Sequence, residues 1–300
     1  MDNDGVVLID KPKDITSRKV LDRVMKILHV KRAGHFGSLD PFATGLLCIG
    51  IGQGTKLLPF LQDHSKEYVA IIGFDMSTDT DDITGDPIVK FEHVNIDIVR
   101  ARAWIGEHTG LIDQVPPDYC AQKVRGKPLY RLKRAKREVN PRPKQVFIER
   151  MEVLAAGKDF LELRIVCSRG TYIRSIGRDL GAYLGYGGYL RELRRIQSEG
   201  FSLDDAVSLE RLELQVQNNE AHPIPLAEAL HLPKAHVTSS GQADICEGKP
   251  IQVAAVIERM DIQDGAYVAL LDEGNHLLCV AKVQRTGGVF GYIERGFQPF

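Results

Sequence analysis

Gly34-His35-Phe36-Gly37-Ser38-Leu39-Asp40-Pro41-Phe42-Ala43-Thr44-Gly45 places three glycines, a histidine and an aspartate within twelve residues. Before it, Val20, Leu21, Val24, Ile27 and Leu28 recur at helical spacing, and Thr16 or Ser17 can cap that helix. After it, residues 46–51 form a short apolar run bounded by glycines, the pattern of a buried strand. The twelve residues therefore read as a loop between a helix and a strand, and loops on rigid scaffolds often carry function. Taken alone, Asp40-Pro41 also has a plainer reading, because Asp before Pro commonly makes a turn or cap.

Working outward, residues 5–11 read as a strand that leads into the capped helix, and residues 67–74 as another, rich in Val, Ile, Tyr and Phe. Residues 99–108 suit a helix. Residues 145–156 and 160–166 read as strands joined through Gly157-Lys158-Asp159, a hairpin-type turn, and a helix over 171–184 follows. The polar stretch 215–222 with Pro223 and Pro225 reads as a connection, after which 251–255, 266–271 and 277–283 are short strands. Strands mixed with isolated helices, without a regular βαβ repeat, indicate an α+β fold rather than a doubly wound parallel sheet. The 300 residues accommodate one large domain, 1–228, and a small β-rich module, 229–300.

Composition excludes several classes. A hydrophobic fraction of 43% and a charged fraction of 26% belong to an ordinary globular chain. Cys48, Cys120, Cys167, Cys246 and Cys279 are odd in number and scattered, with no CxxC pair, which argues against a disulfide framework and a zinc site and for a reducing cytoplasm. The N-terminus lacks the basic and long apolar parts of a signal peptide, and no run reaches the roughly 18 apolar residues of a membrane span. The net charge of −1 hides an uneven distribution. From Lys123 to Lys144 there are ten basic residues against one acidic, Glu138, so that segment carries +9 and the rest of the chain −10.

The opening loop is similar to the GHxGTLDPxATG signature of the TruB family of pseudouridine synthases. Further matches follow in order. Lys11-Pro12 with Thr16-Ser17 resembles the KPxGxTS opening, and residues 116–123, PPDYCAQK, resemble PPxYSAxK. Gly126, Tyr130 and Arg134 have the spacing of GxxxYxxxR, and residues 167–174, CSRGTYIR, are similar to CSKGTYIR, followed by Leu193-Arg194-Arg195. The resemblance covers residues 5–201 or so. Asp14, Phe36, Ser38, Cys120 and Lys133 depart from the family pattern, and none of these departures touches Asp40.

The resemblance implies the pseudouridine synthase catalytic fold, a mixed and largely antiparallel sheet flanked by helices, with a C-terminal PUA-like RNA-binding module. Uridine isomerisation cuts the N1–C1′ bond, turns the uracil, rejoins it through C5 and releases the C5 proton. Nothing is oxidised or hydrolysed, so no cofactor and no metal are expected. The resemblance makes Asp40 the catalytic carboxylate, acting as nucleophile or as base toward the sugar. Arg174 would hold it charged. A stacked base must be flipped out to be reached, and the family's roles then fall on Tyr68 to stack on the base and Tyr172 to hydrogen-bond it. Leu193 would close the apolar wall, and His35 would help fill the vacated space.

An insertion over about 112–145, with Lys123, Arg125, Lys127, Arg131, Lys133, Arg134 and Arg137, would grip the RNA through phosphate contacts. The implied substrate is the uridine at position 55, in the T-arm stem-loop of tRNA. The expected enzyme is a stand-alone cytoplasmic monomer with no obligatory protein partner. Two other readings are a guide-RNA-directed enzyme of the dyskerin type, and an RNA chaperone that keeps the fold without catalysis. The basic insertion and the lack of a long N-terminal extension favour the stand-alone type; intact Asp40, Tyr68 and Arg174 argue against the chaperone reading alone.

Residues 50–56, GIGQGTK, lack the spacing of either common phosphate-binding loop and read as a turn into a helix. Residues 79–85, DTDDITG, miss the ligand spacing of a calcium loop and read as an acidic surface turn.

Overall fold

The computed structural model describes residues 4–61, 65–120, 122–124, 127–129, 141–257 and 261–297. The chain opens with β1 (Gly5–Lys11), α1 (Ser17–Ile27), β2 (Ala33–His35), β3 (Thr44–Ile51) and β4 (Lys66–Gly73). A small hairpin, β5 (Met76–Thr78) and β6 (Pro87–Lys90), leads to α2 (Ile98–Glu107) and β7 (Gly110–Gln114). Two short strands, β8 (Lys123–Val124) and β9 (Lys127–Pro128), precede β10 (Lys144–Ala156), β11 (Phe160–Cys167), α3 (Ile173–Leu184), β12 (Tyr189–Ser198) and β13 (Phe201–Ser202). Then come α4 (Leu209–Gln217), α5 (Leu226–Ala229), β14 (Lys234–His236), α6 (Ser239–Cys246), β15 (Ile251–Gln252), β16 (Tyr267–Leu271), β17 (Leu277–Thr286) and β18 (Val289–Gly296).

The main sheet runs β1-β3-β12-β4-β11-β10-β7, with β2 added to β3 and β13 to β12. Every pair in it is antiparallel except β12 with β3. The expected mixed, largely antiparallel α+β sheet is therefore present. At the parallel pair Gly45 has φ +100°, and a Cβ there would stand 2.3 Å from the Arg195 carbonyl, so only glycine lets β3 approach β12.

Helices cover both faces. The apolar face of α1 packs Val20, Leu21 and Val24 against Ile9, Leu47, Ile49 and α4 residues Leu209 and Leu212. Thr16, not Ser17, caps it, accepting from the Lys19 N–H at 3.1 Å. On the opposite side α3 sets Ile176, Leu180 and Leu184 among Ile72, Leu163 and Trp104, and it ends on Gly185 in the left-handed conformation, φ +86°.

The second sheet, β14-β16-β17-β18-β15, forms the expected β-rich module. Its inner face builds a separate apolar cluster of Val268, Leu270, Leu278 and Phe290, while Ala269, Leu271, Val280 and Phe297 join Val6, Leu8, Leu46 and Cys48 of the main sheet in one core. The two sheets are thus welded by shared burial.

Several boundaries differ from the sequence reading. The expected strand over 251–255 stops after two residues and becomes a 3-10 turn, Val253–Ala255. Residues 215–217 complete α4, and the expected connection after it is clamped to β1, with Val6 and Ile224 exchanging backbone hydrogen bonds at 2.9 and 2.8 Å. The sequence reading passed over β12, where four of ten residues are charged, although it lies between β3 and β4.

Candidate active site

Asp40 sits at the end of a loop pinned from several sides. Ser17 Oγ donates to the Leu39 carbonyl at 3.0 Å and accepts from the Leu39 N–H at 2.8 Å. Lys11 is fully buried, and its ammonium donates to the carbonyls of Pro12, Ile15 and Pro41 at 2.9, 2.7 and 3.0 Å. Burial pulls its pKa down to about 8, against the upward pull of Asp14 and Asp40. Asp14, which stands where the family motif has glycine, takes φ +63°, a left-handed conformation that aspartate tolerates better than most residues. Ala43 N–H donates to the Asp40 carbonyl at 3.1 Å, so Asp40-Pro41 does close a turn; the same turn presents its carboxylate to a cavity.

That cavity measures about 830 Å³ and brings together Asp40, Tyr68, Tyr172, Arg174 and Leu193. His35 does not line it; it lies half-buried on β2, with its Nδ1 atom buried and unpartnered among the described residues. Burial and nearby Arg195 lower the His35 pKa, which keeps the ring neutral at neutral pH.

Arg174, on the first turn of α3, is a buried hub. Its Nε and Nη2 grip the Asp40 carboxylate at 3.0 and 3.2 Å, Nη2 also donates to the Tyr119 carbonyl at 3.1 Å, and Nη1 reaches Thr80 O at 3.0 Å and Asp82 Oδ2 at 3.4 Å. A guanidinium fork fixed at every nitrogen holds a carboxylate in one orientation. Asp82 was misread as part of an acidic surface turn: it is 4% exposed, held by Thr80 Oγ1, Thr84 N and Thr84 Oγ1 at 2.8, 2.9 and 2.6 Å. An Asx-type turn folds it inward, and no sequence spacing signals that direction.

Burial pushes the Asp40 carboxyl above the ordinary carboxylate range; Arg174 pulls it back, Asp82 pushes it up and Lys11 pulls it down. The expected downward pull of Arg174 is present, and desolvation outweighs it. Burial and the adjacent Cys120 raise the Tyr172 hydroxyl, and burial raises Tyr68, so both phenols stay protonated donors at neutral pH. Phe36, at a position where the family carries threonine, is buried against Leu46 and Leu57 and lines the same cavity.

Of the basic insertion, Arg125, Arg131, Lys133, Arg134 and Arg137 lie outside the described residues, and only the backbone of Lys123 and Lys127 is described. Lys144 and Arg169, which the sequence reading did not place at the site, are exposed and line the cavity rim. Among the described residues no group of three or more His, Cys, Asp or Glu could hold a metal ion, and no helix is long and apolar enough to cross a membrane.

The arginine-gripped aspartate lies in a cavity of a mixed sheet, and the family models and relatives that match the chain make it an RNA pseudouridine synthase. The fold matches a chain of a solved H/ACA RNP bound to a substrate RNA containing 2'-deoxyuridine, with 24% identity, TM-score 0.74, and 98% of this chain and 85% of that chain covered. It also matches a chain of a Cbf5-Nop10-Gar1 complex at 25% identity and TM-score 0.74, covering 99% and 86%. The model of the TruB family pseudouridylate synthase N-terminal domain matches residues 25–173, and that of the tRNA pseudouridylate synthase B C-terminal domain matches 174–231. Proteins named tRNA pseudouridine synthase B from Geobacter sulfurreducens and Syntrophotalea carbinolica are 39% and 34% identical over 250 and 275 residues. The first alignment covers 82% of both chains, the second 91% of this chain and 90% of the relative. The chain belongs to the TruB family of pseudouridylate synthases.

Proposed function

We propose that this enzyme converts the uridine at position 55, in the T-arm of tRNA, to pseudouridine, acting alone on a flipped-out nucleotide with Asp40 as its catalytic carboxylate. The observation that carries the reading is the Asp40–Arg174 pair at 3.0 Å, in a cavity walled by Tyr68, Tyr172 and Leu193. The relatives' name supports tRNA as substrate. Arg174 fixes the carboxylate; Tyr68 offers a flat face to replace lost stacking, Tyr172 a hydroxyl to the base edge, and Leu193 an apolar wall. Asp40 attacks C1′ or takes a sugar proton. Either step breaks the N1–C1′ bond. After the uracil anion turns, C5 bonds to C1′ as the Asp40–C1′ bond breaks or the sugar regains its proton; C5 gives up its proton to water and N1 takes one up, so atoms balance without a cofactor.

The insertion over 112–145 supplies phosphate contacts through its lysines and arginines, and the five-stranded module is read as PUA-like and RNA-binding. The enzyme works as a cytoplasmic monomer without a protein partner. The test is tritium release from a T-arm stem-loop carrying 5-tritiated uridine at position 55 only, with purified protein and no guide RNA. Stoichiometric release supports the reading; release that requires a guide RNA and added proteins would transfer it to the guided type.

A further inference from the structure

A cavity of about 830 Å³ is the size that takes a whole drug-sized ligand, more than a single pyrimidine ring fills. The residues given roles above line one part of it. Another part is lined by Phe36, Leu58, Lys66 and Glu199. Lys66 and Tyr68 share a face of β4, two residues or roughly 7 Å apart along the strand, so Lys66 lies beyond a base stacked on Tyr68.

This second part combines the apolar Phe36 and Leu58 with a charged pair and has few acceptors. Lys66 Nζ lies 3.1 Å from Glu199 Oε1, with the side chains 11% and 4% exposed. Glu199 holds its carboxylate there from a hairpin turn at φ +56°, a conformation unusual for glutamate. Beside them Arg195 is 1% exposed; its Nε and Nη2 donate to Leu46 O and Gly37 O at 2.8 and 3.0 Å, and its Nη1 meets no acceptor in hydrogen-bonding geometry among the described residues. A Cβ on Gly37 would stand 2.7 Å from Lys66 Nζ and 3.5 Å from Arg195 Nη1, so both nitrogens border the niche that glycine leaves open. Lys66 pairs with Glu199, while Arg195 Nη1, near the Tyr68 hydroxyl, makes no hydrogen bond in good geometry among the described residues, and a buried donor left unmade is costly.

We propose that Lys66, paired with Glu199 in the free protein and backed by Arg195, is a further RNA-contacting residue that donates to an oxygen of the nucleotide next to the flipped uridine, making this part of the cavity a second nucleotide subsite. The proposal rests on the pseudouridine synthase reading. The oxygen belongs either to a phosphate or to a base carbonyl, and both accept from an ammonium. In the free protein Glu199 occupies one of the three ammonium donors and leaves the others for RNA.

The test combines steady-state tritium release and equilibrium RNA binding for wild type, Lys66→Gln, Lys66→Arg and Glu199→Gln, with thermal melting as the folding control. Lys66→Gln is expected to raise KM and Kd about tenfold with kcat within twofold, and Lys66→Arg to recover most of the loss. Glu199→Gln keeps the volume, frees Lys66 and lowers Kd, and it decides the matter if Lys66→Gln fails to fold. A phosphate oxygen shows as a fall of about 0.7–0.9 in the salt slope of binding with Lys66→Gln. A base carbonyl shows as an unchanged slope and a wild-type advantage that vanishes on RNA abasic at the neighbouring position. The proposal is overturned if Lys66→Gln leaves KM and Kd within twofold, if it lowers kcat alone, or if Glu199→Gln weakens binding as much as Lys66→Gln. Should wild type release no tritium yet show these binding shifts, the functional reading fails and the subsite stands.

Discussion

The two sheets bury different chemistry. The nine-stranded sheet and its loops bury Lys11, Glu67, Asp82, Arg174, Arg195 and Glu199, whereas among the described residues from 230 to 297 no charged side chain is buried. Buried charges cost free energy unless paired and hydrogen-bonded, so they survive where something other than stability requires them. Here Arg174 and Glu199 line the cavity, Asp82 braces Arg174, Lys11 holds the Asp40-Pro41 turn and Arg195 holds the loop at Gly37. The five-stranded sheet, with an apolar core and a seam against β1 and β3, behaves as scaffold and docking surface. Substitutions in the first sheet should therefore act on turnover, and substitutions in the second on stability with turnover spared.

The largest effect tests that contrast at its centre. Asp40→Asn is nearly isosteric and should lower turnover by at least ~10³-fold, the order seen when a member of a catalytic unit is removed. Next, Arg174→Met strands Asp40 and Asp82 without their cation; it should cost about 3–5 kcal/mol in denaturant unfolding and abolish measurable tritium release. Turnover retained within tenfold would sink the view that Arg174 organises the site. Lys11→Met leaves three carbonyls without a donor and frees the Asp40-Pro41 turn, with an expected cost of about 1–3 kcal/mol and a clear fall in kcat.

A subtler test uses pH. In the proposed reaction the anionic form of Asp40 does the chemistry; its folded pKa is raised, so turnover should fall on acidification at a pH above that of an ordinary aspartate. Asp82 contributes to that rise, so Asp82→Asn should shift the acid limb to lower pH; a shift upward, or none, would contradict the assigned cause. The sign for stability is opposite to the usual carboxylate case: folding takes up a proton between the ordinary and the raised value, so Asp40 itself favours folding more as pH falls through that window. The smallest effect on turnover belongs to the second sheet. Leu278→Ala should cost about 2–5 kcal/mol of stability and leave kcat within twofold below the melting transition.

The same contrast explains what could be read without coordinates. Local sequence pattern revealed β1, α1, β3, β4, α3 and, in the second sheet, β16 and β17 with the start of β15, because their burial is apolar; it passed over β14 and β18. It failed at β12, where Arg195 is buried by accepting carbonyls from Gly37 and Leu46, residues some 150 positions away in the chain. Asp40, Tyr172, Arg174 and Leu193 were legible in motifs and Tyr68 through the family resemblance, and one cavity brings the five together. Asp82 was not, since only its pairing with Arg174 and the Thr80 and Thr84 hydroxyls turns it inward. Lys66 and Glu199 come together only because β4 and the β12–β13 turn meet beneath Gly37.

The most direct test of the account compares wild type with Asp40→Asn on one T-arm stem-loop, measuring tritium release and RNA affinity in the same buffer without guide RNA, metal or nucleotide. The account predicts release by wild type alone, with the two proteins binding RNA within a few-fold of each other. Equal release by both would remove Asp40 from the chemistry, and silence from both on folded RNA would contradict stand-alone synthesis.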